Sequence, residues 1–171
     1  MVTNTLADQI KDYSKKIKNI ELIGKSETVE FVKNYTALTY DYQMVGMIYD
    51  YYKEDVEVLK ENRIRLRGID ELVHDRQVLL AAFPDLRTKI ENIIVSGDEE
   101  KGYKVFRRMR YEGTNTGYSP YGPPTGKELG NECLGLSMFY LNKLDGKWKI
   151  TYEMDMRSAE WMKEVMTNKL N

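Results

Sequence analysis

The spacing of apolar residues changes once along the chain, near residue 86. Before that point apolar residues recur at helical spacing, which predicts helices over residues 5–20, 27–52 and 69–83. The segment YYKEDVEVLKENRIRLRG between the last two predicts a short hairpin. After residue 86 apolar and polar residues alternate, which predicts long strands. Asp145-Gly146 predicts a tight turn between the last two strands, and Ser158 is expected to cap a short final helix.

Helices followed by an antiparallel meander predict an α+β fold, in which one curved sheet carries its helices on one face. The helix over 27–52 has apolar side chains on two opposite stripes. One stripe includes Phe31 and Leu38, and the other mixes Thr36, Tyr40 and Gln43. Such a helix either lies between two protein layers or lines a cavity with its more polar stripe.

The helix over 69–83 places an arginine, Arg76, in the middle of its apolar stripe, whereas His74 points to the polar side. A buried-face arginine extends to the rim, forms a structural ion pair, or meets a carboxylate or an anionic ligand. The sequence leaves these alternatives open. His74 is expected to be a solvated surface residue.

Composition excludes several function classes. A net charge of -1, from 26 basic and 27 acidic residues, offers no dedicated surface for nucleic acid or an anionic membrane. Arg107, Arg108 and Arg110 are therefore interpreted as a solvated strand face. A single cysteine, Cys133, and a single histidine exclude a disulfide framework and the familiar metal sites.

The longest apolar run, VLLAAF, is too short for a membrane span, and the first residues lack the apolar core of a signal peptide. We expect a cytoplasmic protein.

An uncharged loop, GTNTGYSPYGPPTG at residues 113–126, interrupts this charged chain. Its glycines allow tight turns and its prolines limit loop entropy. Tyr118 and Tyr121 offer flat, amphipathic walls to a ring-containing or acyl ligand. The alternative is a stiff connection without a ligand role.

Three segments in one order resemble the SnoaL-like polyketide cyclase family of the nuclear transport factor two-like superfamily. They are LLAAFPDLR at residues 79–87, GTNTG with GPPTGK at residues 113–127, and the LDGKWKI hairpin before a strand that ends in an acid. The resemblance spans about residues 27–167. It divides the chain into a helical extension, 1–26, and a domain, 27–171.

The resemblance implies a cone-shaped sheet wrapped around helices, a pocket at its open end, and no metal or organic cofactor. The family's acid/base aspartate corresponds to Asp155, with Asn115 as a second catalytic candidate. Tyr152, Arg76, Tyr118, Tyr121, Tyr40 and Trp148 are the candidate substrate-binding residues. Strict alternation places Asp155 with Glu153 on the face opposite Ile150, so a bulge or the sheet's curl is needed to turn it inward. Glu153 is the rival base, and Arg76 would make Asp155 a weaker base or a structural ion-pair partner.

Two departures from the family pattern affect function. Asn115 replaces a loop histidine, and a second histidine of the cyclases falls near Gly135. Asparagine hydrogen-bonds a carbonyl but does not shuttle protons at neutral pH, which argues against aromatic-polyketide cyclisation. Two functions follow. One is a cofactor-independent isomerase, cyclase or dehydratase acting on a small hydrophobic carbonyl compound. The other is a non-catalytic module that holds a ligand or a partner. A homodimer is expected, because open curved sheets usually bury one face.

Overall fold

The computed structural model describes residues 5–18 and 21–167. The helices are α1 (Leu6–Lys18), α2 (Lys25–Thr36), α3 (Met47–Tyr51), α4 (Ile69–Ala82) and α5 (Ala159–Met166). The strands are β1 (Tyr52–Lys60), β2 (Arg65–Arg67), β3 (Arg87–Asp98), β4 (Gly102–Glu112), β5 (Leu134–Leu144) and β6 (Lys147–Arg157). The α+β class and the β1–β2 hairpin predicted from the sequence are confirmed. None of the described helices is long and apolar enough to cross a bilayer.

The six strands form one curved sheet in the order β2-β1-β6-β5-β4-β3. All neighbours are antiparallel except β1 and β6, which run parallel. Asp145 and Gly146 both have positive φ, 48° and 76°, in the predicted turn between β5 and β6. This turn follows the right-handed twist of the strands and confirms the hairpin. Ser158 precedes α5, but its hydroxyl accepts the N–H of Leu134 at 3.0 Å instead of capping the helix.

The predicted single helix over 27–52 is wrong. The α-helix ends at Thr36, a π-helical segment follows over Ala37–Asp41, and α3 begins only at Met47. Leu38, Thr39 and Tyr40 are all buried on the π-helical segment, whose wider turn interrupts the α-helical hydrogen bonding after α2.

A bulge in β6 decides which of its side chains face the helices. Tyr140 and Leu141 are consecutive on β5, but their partners on β6 are Tyr152 and Ile150, so Thr151 is an extra residue. Residues on both sides of it therefore face inward: Ile150 before the bulge, Glu153 and Asp155 after it. The bulge at Thr151 therefore turns Asp155 inward, as strict alternation along β6 would not.

The interior contains two apolar clusters. The first includes Leu72 on α4, Val105 on β4 and Ile150 on β6, and the second includes Leu79 and Met109. In α4 and β4 a charged side chain lies between the two clusters: Arg76 lies between Leu72 and Leu79, and Arg107 lies between Val105 and Met109. Polar residues thus form a layer across the protein between two apolar halves.

Helix α1 packs on its own domain. Ile17 is buried in the first apolar cluster, and the Tyr13 ring lies 5.4 Å from that of Tyr42. The Tyr42 hydroxyl donates to the Gln9 side chain at 3.1 Å. The predicted helix over 5–20 is therefore present, although residues 19 and 20 lie outside the described part of the chain.

Candidate functional site

The polar layer contains a cluster of charged side chains that are each at most 18% exposed. We call it the buried ion cluster. It comprises Lys60 on β1, Asp75 and Arg76 on α4, Arg107 on β4, and Glu153, Asp155 and Arg157 on β6. Burying so many charges is costly unless they are paired, so their arrangement is tightly constrained.

Asp155 is completely buried, and two arginines hold one of its oxygens. Its Oδ2 accepts hydrogen bonds from Arg76 Nη1 at 2.9 Å and from Arg157 Nη2 at 3.0 Å. Burial by itself raises the pKa of Asp155, but the Arg157 and Arg76 guanidiniums outweigh it and hold that pKa well below its ordinary value of 3.8. Asp155 is therefore ionised at neutral pH.

Glu153 lies two residues earlier on the same face of β6 and has the opposite shift. Its Oε2 accepts the Tyr52 hydroxyl at 2.7 Å, and the nearest guanidinium nitrogens, of Arg76 and Arg107, are 3.7 and 3.9 Å away. Burial and the Asp155 charge raise the pKa of Glu153 above its ordinary value of 4.5, because these more distant arginines compensate only in part. The two adjacent carboxyls thus differ in their affinity for protons.

Other side chains fix the arginines of the cluster. Arg157 Nη2 donates to Asp75 Oδ2 at 2.6 Å, and Lys60 forms an ion pair with the same carboxylate. Arg107 donates to the hydroxyls of Thr36 at 2.6 Å and Ser137 at 3.1 Å. Each guanidinium is therefore held by groups on at least one other element.

Three buried polar atoms beside the cluster have no hydrogen-bond partner among the described residues: Tyr40 Oη, Tyr111 Oη and Asp155 Oδ1. The Tyr40 and Tyr111 rings lie 5.7 Å apart, and the Arg76 guanidinium lies 5.4 Å from the Tyr40 ring centre. Burial raises the pKa of both tyrosines, so both hydroxyls keep their protons and can donate. Unsatisfied buried groups cost free energy, so these three atoms are candidates for hydrogen bonds to a bound molecule.

Gly135 makes room for one of these tyrosines. A Cβ at this position would lie 2.6 Å from Cε2 of Tyr111. The Tyr111 ring therefore occupies the space that any side chain at position 135 would require.

A pocket of about 360 Å³ between α4 and α5 reaches the edge of the buried ion cluster. Lys60, Asp75 and Arg157 line it on the cluster side, and Tyr121 lines its rim. Its apolar wall consists of Ile64, Val78, Leu79, Met162 and Met166. A larger concavity of about 810 Å³ lies elsewhere on the protein, and none of the predicted site residues lines it.

The structure brings together Asp155, Arg76 and Tyr40 of the predicted site residues. Asn115 is buried elsewhere, with its amide fully used in holding the loop over 113–126. Its Nδ2 donates to the carbonyls of Ala82 at 2.8 Å and Gly117 at 3.1 Å, and its Oδ1 accepts the N–H of Thr125 at 3.0 Å. The loop is thereby anchored to the end of α4.

The other predicted residues lie apart from the buried ion cluster. Tyr152 lies on the opposite face of β6 from Glu153, with its ring 5.6 Å from that of Tyr140. Trp148 is partly buried, with its ring 5.4 Å from that of Tyr103, and packs against the first apolar cluster. Tyr118 is 74% exposed on the loop, whereas Tyr121 reaches the rim of the α4–α5 pocket.

Sequence reasoning missed Arg107, Tyr111 and Arg157. The interpretation of Arg107 as solvated is wrong, since this residue is 3% exposed. Its position was visible in the alternation of β4, where Val105 and Met109 lie in phase with it. Arg157 had no comparable signal, because its inward direction depends on the bulge at Thr151. The expected exposure of His74 is confirmed.

Comparisons with known proteins agree on the family and the fold. A model of the SnoaL-like polyketide cyclase family matches residues 29–157. No curated protein matches the sequence significantly. A structure assigned as a SnoaL-like polyketide cyclase, from Jannaschia sp. CCS1, is 17% identical, with a TM-score of 0.65 over 86% of this chain and 95% of that one.

Two further solved structures come from Novosphingobium aromaticivorans. A nuclear transport factor two-like protein with a cystatin-like fold is 10% identical, with a TM-score of 0.53 over 90% of each chain. A protein assigned as a scytalone dehydratase is 13% identical, with a TM-score of 0.54 over 90% of this chain and 89% of that one. At these identities the likeness shows a shared fold.

Proposed function

The chain belongs to the SnoaL-like polyketide cyclase family, and from this premise we propose that it is a cofactor-independent acid/base enzyme of the isomerase, cyclase or dehydratase type. Its substrate is a small hydrophobic carbonyl or ring-containing compound. One observation carries the proposal: Glu153 and Asp155 are adjacent on the inner face of β6, and their pKa values are shifted in opposite directions. Two carboxyls whose pKa values are shifted apart in this way allow one site to supply both an acid and a base.

In this mechanism the ionised Asp155 is the base. Arginines hold its Oδ2, while its Oδ1 has no partner among the described residues and remains free to take a proton from a carbon next to a carbonyl. The low pKa of Asp155 makes it a weak base, so the reaction depends on stabilising the enolate that forms. Its fixed orientation contributes by positioning the oxygen at the carbon.

Glu153 is the acid in this mechanism. Its raised pKa favours the protonated form, which can deliver a proton to a second carbon in an isomerisation or to a departing hydroxyl in a dehydration. The two residues are separated by about 7 Å along the strand. The Arg76 guanidinium lies between their carboxyl groups, 2.9 Å from Asp155 Oδ2 and 3.7 Å from Glu153 Oε2, so a substrate that reaches both must displace it.

The tyrosines beside Asp155 would stabilise the enolate. Tyr40 and Tyr111 each have a buried, protonated hydroxyl without a partner in the described structure. A developing oxyanion would accept hydrogen bonds from both, and in a buried site such donors are worth more than in water. The α4–α5 pocket, which Arg157 lines one hydrogen bond away from Asp155, is the proposed entrance.

Deuterium exchange tests the proposal without knowledge of the natural substrate. Cyclic ketones and enones that raise the melting temperature are incubated in deuterated buffer, and exchange next to the carbonyl is followed by NMR. We expect Asp155→Asn to lower the exchange rate by about 10²–10⁴-fold, the usual weight of a general base. Glu153→Gln should block the later protonation step, measured as product formation.

Glu160→Gln is the matched control, because Glu160 is an exposed carboxylate on the rim of the same pocket. It should leave exchange unchanged. Exchange at the wild-type rate in Asp155→Asn would remove Asp155 from the mechanism. Absence of both stabilisation and exchange for all compounds would contradict the enzyme function.

The second candidate function is a non-catalytic binding module, and the burial of both carboxyls favours it. Glu153 and Asp155 are at most 1% exposed, so a substrate reaches them only if side chains at the inner end of the pocket move. A protein that binds ring compounds tightly, exchanges none of their protons and keeps its affinity in Asp155→Asn would have this second function.

A further inference from the structure

The buried ion cluster has an imbalance of charge. It holds four basic side chains and three acidic ones, so its net charge is positive even when every carboxyl is ionised. Protonation of Glu153, which its raised pKa favours, increases the surplus. An unbalanced charge in a buried site is unfavourable unless a counter-charge joins it. The cluster is therefore expected to attract an anion.

Arg157 is the member of the cluster that can receive this anion. Its Nε and Nη2 donate to Asp155 and Asp75, whereas its Nη1 makes no hydrogen bond with a described residue. The side chain is 5% exposed and lines the α4–α5 pocket. A carboxylate is the planar acceptor that a guanidinium edge binds best.

Three acidic residues line the pocket, Glu61, Asp75 and Glu160, and three basic ones match them in number, Lys60, Arg157 and Lys163. Asp75 is already paired with Lys60, Arg76 and Arg157. Glu61 accepts the backbone N–H of Arg157 at 3.2 Å, and Glu160 is exposed at the beginning of α5. Asp75 is thus neutralised by its basic partners, whereas Glu61 keeps its charge and is offset by the basic residues of the same pocket.

The rest of the pocket fits an apolar body. The wall that α4 and α5 supply consists of aliphatic and methionine side chains, and Tyr121 adds a ring at the rim. A volume of about 360 Å³ is at the lower end of the range for small-molecule sites, which is about 300–1,000 Å³. The pocket thus combines a cationic inner end with an apolar wall.

We propose that the α4–α5 pocket binds a small amphipathic carboxylate, with its carboxylate on Arg157 Nη1 and its apolar body against α4 and α5. The inference rests on the proposed function, in which this pocket is the entrance for the substrate. It narrows the substrate class to ring-containing or branched acids that also carry a reactive carbonyl or hydroxyl group.

Paired probes test the inference by calorimetry on the full chain at pH 7. Benzoate and cyclohexanecarboxylate carry the charge, and benzamide is the neutral analogue of the first. We expect the carboxylates to bind at least about tenfold more tightly than benzamide, since hydrogen bonds to a charged group are roughly twice as strong as neutral ones. Equal or tighter binding of benzamide would overturn the inference, and so would absence of binding by every probe.

Two tryptophan variants locate the site. Val78→Trp fills the pocket from α4 and should abolish benzoate binding. Gln77→Trp, one residue earlier on the exposed face of the same helix, should bind benzoate like the wild type. Benzoate binding that survives Val78→Trp would place the anion elsewhere and overturn the proposal.

The two proposals fail separately. Tight benzoate binding without proton exchange on any ketone would support the carboxylate site and contradict the proposed enzyme. Proton exchange on neutral ketones without any preference for carboxylates would support the enzyme and overturn the carboxylate site.

Discussion

At the scale of single residues, Asp155 and Glu153 differ in what their removal leaves behind. Asparagine at position 155 would leave two buried guanidiniums, of Arg76 and Arg157, without one of the two carboxylates that they share, the other being Asp75. We expect Asp155→Asn to lower the free energy of unfolding by about 3–5 kcal/mol, the usual effect of breaking a buried ion pair. Urea unfolding at pH 7 measures it.

Glu153→Gln is the matched comparison, because Glu153 lies two residues before Asp155 on the same face of the same strand. Glutamine resembles the protonated glutamic acid in shape and charge, and no arginine lies within hydrogen-bond distance of Glu153. We expect this variant to lose about 1 kcal/mol or less. Equal losses in the two variants would show that both carboxylates are structural ion-pair partners.

The opposite pKa shifts of the two carboxyls also predict opposite dependences of the free energy of unfolding on pH. The pKa of Asp155 is lowered in the folded state, so its contribution is present above about pH 4 and is lost as the pH falls. The pKa of Glu153 is raised, so its contribution is complete below about pH 4.5 and is lost as the pH rises through the folded-state value.

Unfolding free energies measured from pH 3 to pH 8 test this pattern. The wild type should lose stability at the acidic end, where Asp155 and Asp75 take up protons on unfolding. Above about pH 5, Glu153→Gln should show a flatter profile than the wild type, because the group whose pKa is raised is gone. Parallel profiles over that range would contradict the raised pKa of Glu153.

At the scale of residues, part of the candidate site could be predicted from the sequence. Arg76 was visible as a charge on an apolar helical stripe, and Asp155 through its position in the family pattern. Asn115 also occupies a position of the family pattern, but its amide holds the loop. Tyr111 could not be predicted from the sequence. Its position depends on the contact with Gly135 on the neighbouring strand, and no local sequence pattern encodes that contact.

At the scale of elements, the bulge at Thr151 determines which face of the sheet the later side chains of β6 point to. Side chains alternate along a strand, so one residue more or less moves all later ones to the other face. Deletion of Thr151 would turn Glu153, Asp155 and Arg157 outward and bring Met154 and Met156 toward the helices.

We expect the Thr151 deletion to abolish cooperative unfolding, since it places the buried charges of β6 on the wrong face. Thr151→Val keeps the residue and loses only a half-buried hydrogen bond to Asn142, so it should unfold cooperatively, with a loss of about 1 kcal/mol. Near-ultraviolet circular dichroism and urea unfolding compare the two. A deletion variant as stable as the valine variant would mean that the bulge does not orient these residues.

Elements were otherwise predictable to the extent that one face of each is buried. The β5–β6 hairpin follows from Asp145-Gly146 and from clear alternation. The helix over 27–52 was predicted too long, because both of its stripes carry apolar residues and the π turn leaves no distinct signature in such a pattern. Periodicity specifies an element well only where burial is one-sided.

At the scale of the whole molecule, the outer face of the sheet carries an apolar row. Ile94, Phe106, Met138 and Met154 are paired in register across β3, β4, β5 and β6. Leu136 and Met156 are paired beside them, and no described element covers this row. Contiguous apolar surface of this kind usually marks an interface, in line with the homodimer expected from the sequence.

A charge in the middle of this row should separate the protomers. We expect the wild type to sediment as a dimer and Phe106→Glu as a monomer with an intact fold, because an interface that buries an unpaired carboxylate is strongly disfavoured. Tyr118→Glu is the control, since Tyr118 is exposed on the loop over 113–126, away from the row. A monomeric wild type at micromolar concentration would contradict the dimer.

The layer of charges across the interior has a consequence for how the chain folds. Its contacts join distant parts of the sequence: Arg76 and Asp155 are 79 residues apart, and Tyr52 and Glu153 are 101 apart. Closing such long loops is slow, and a half-assembled layer would hold hydrated charges between apolar surfaces. We therefore expect the charged layer to be completed late in folding, when β6 joins the sheet beside β1.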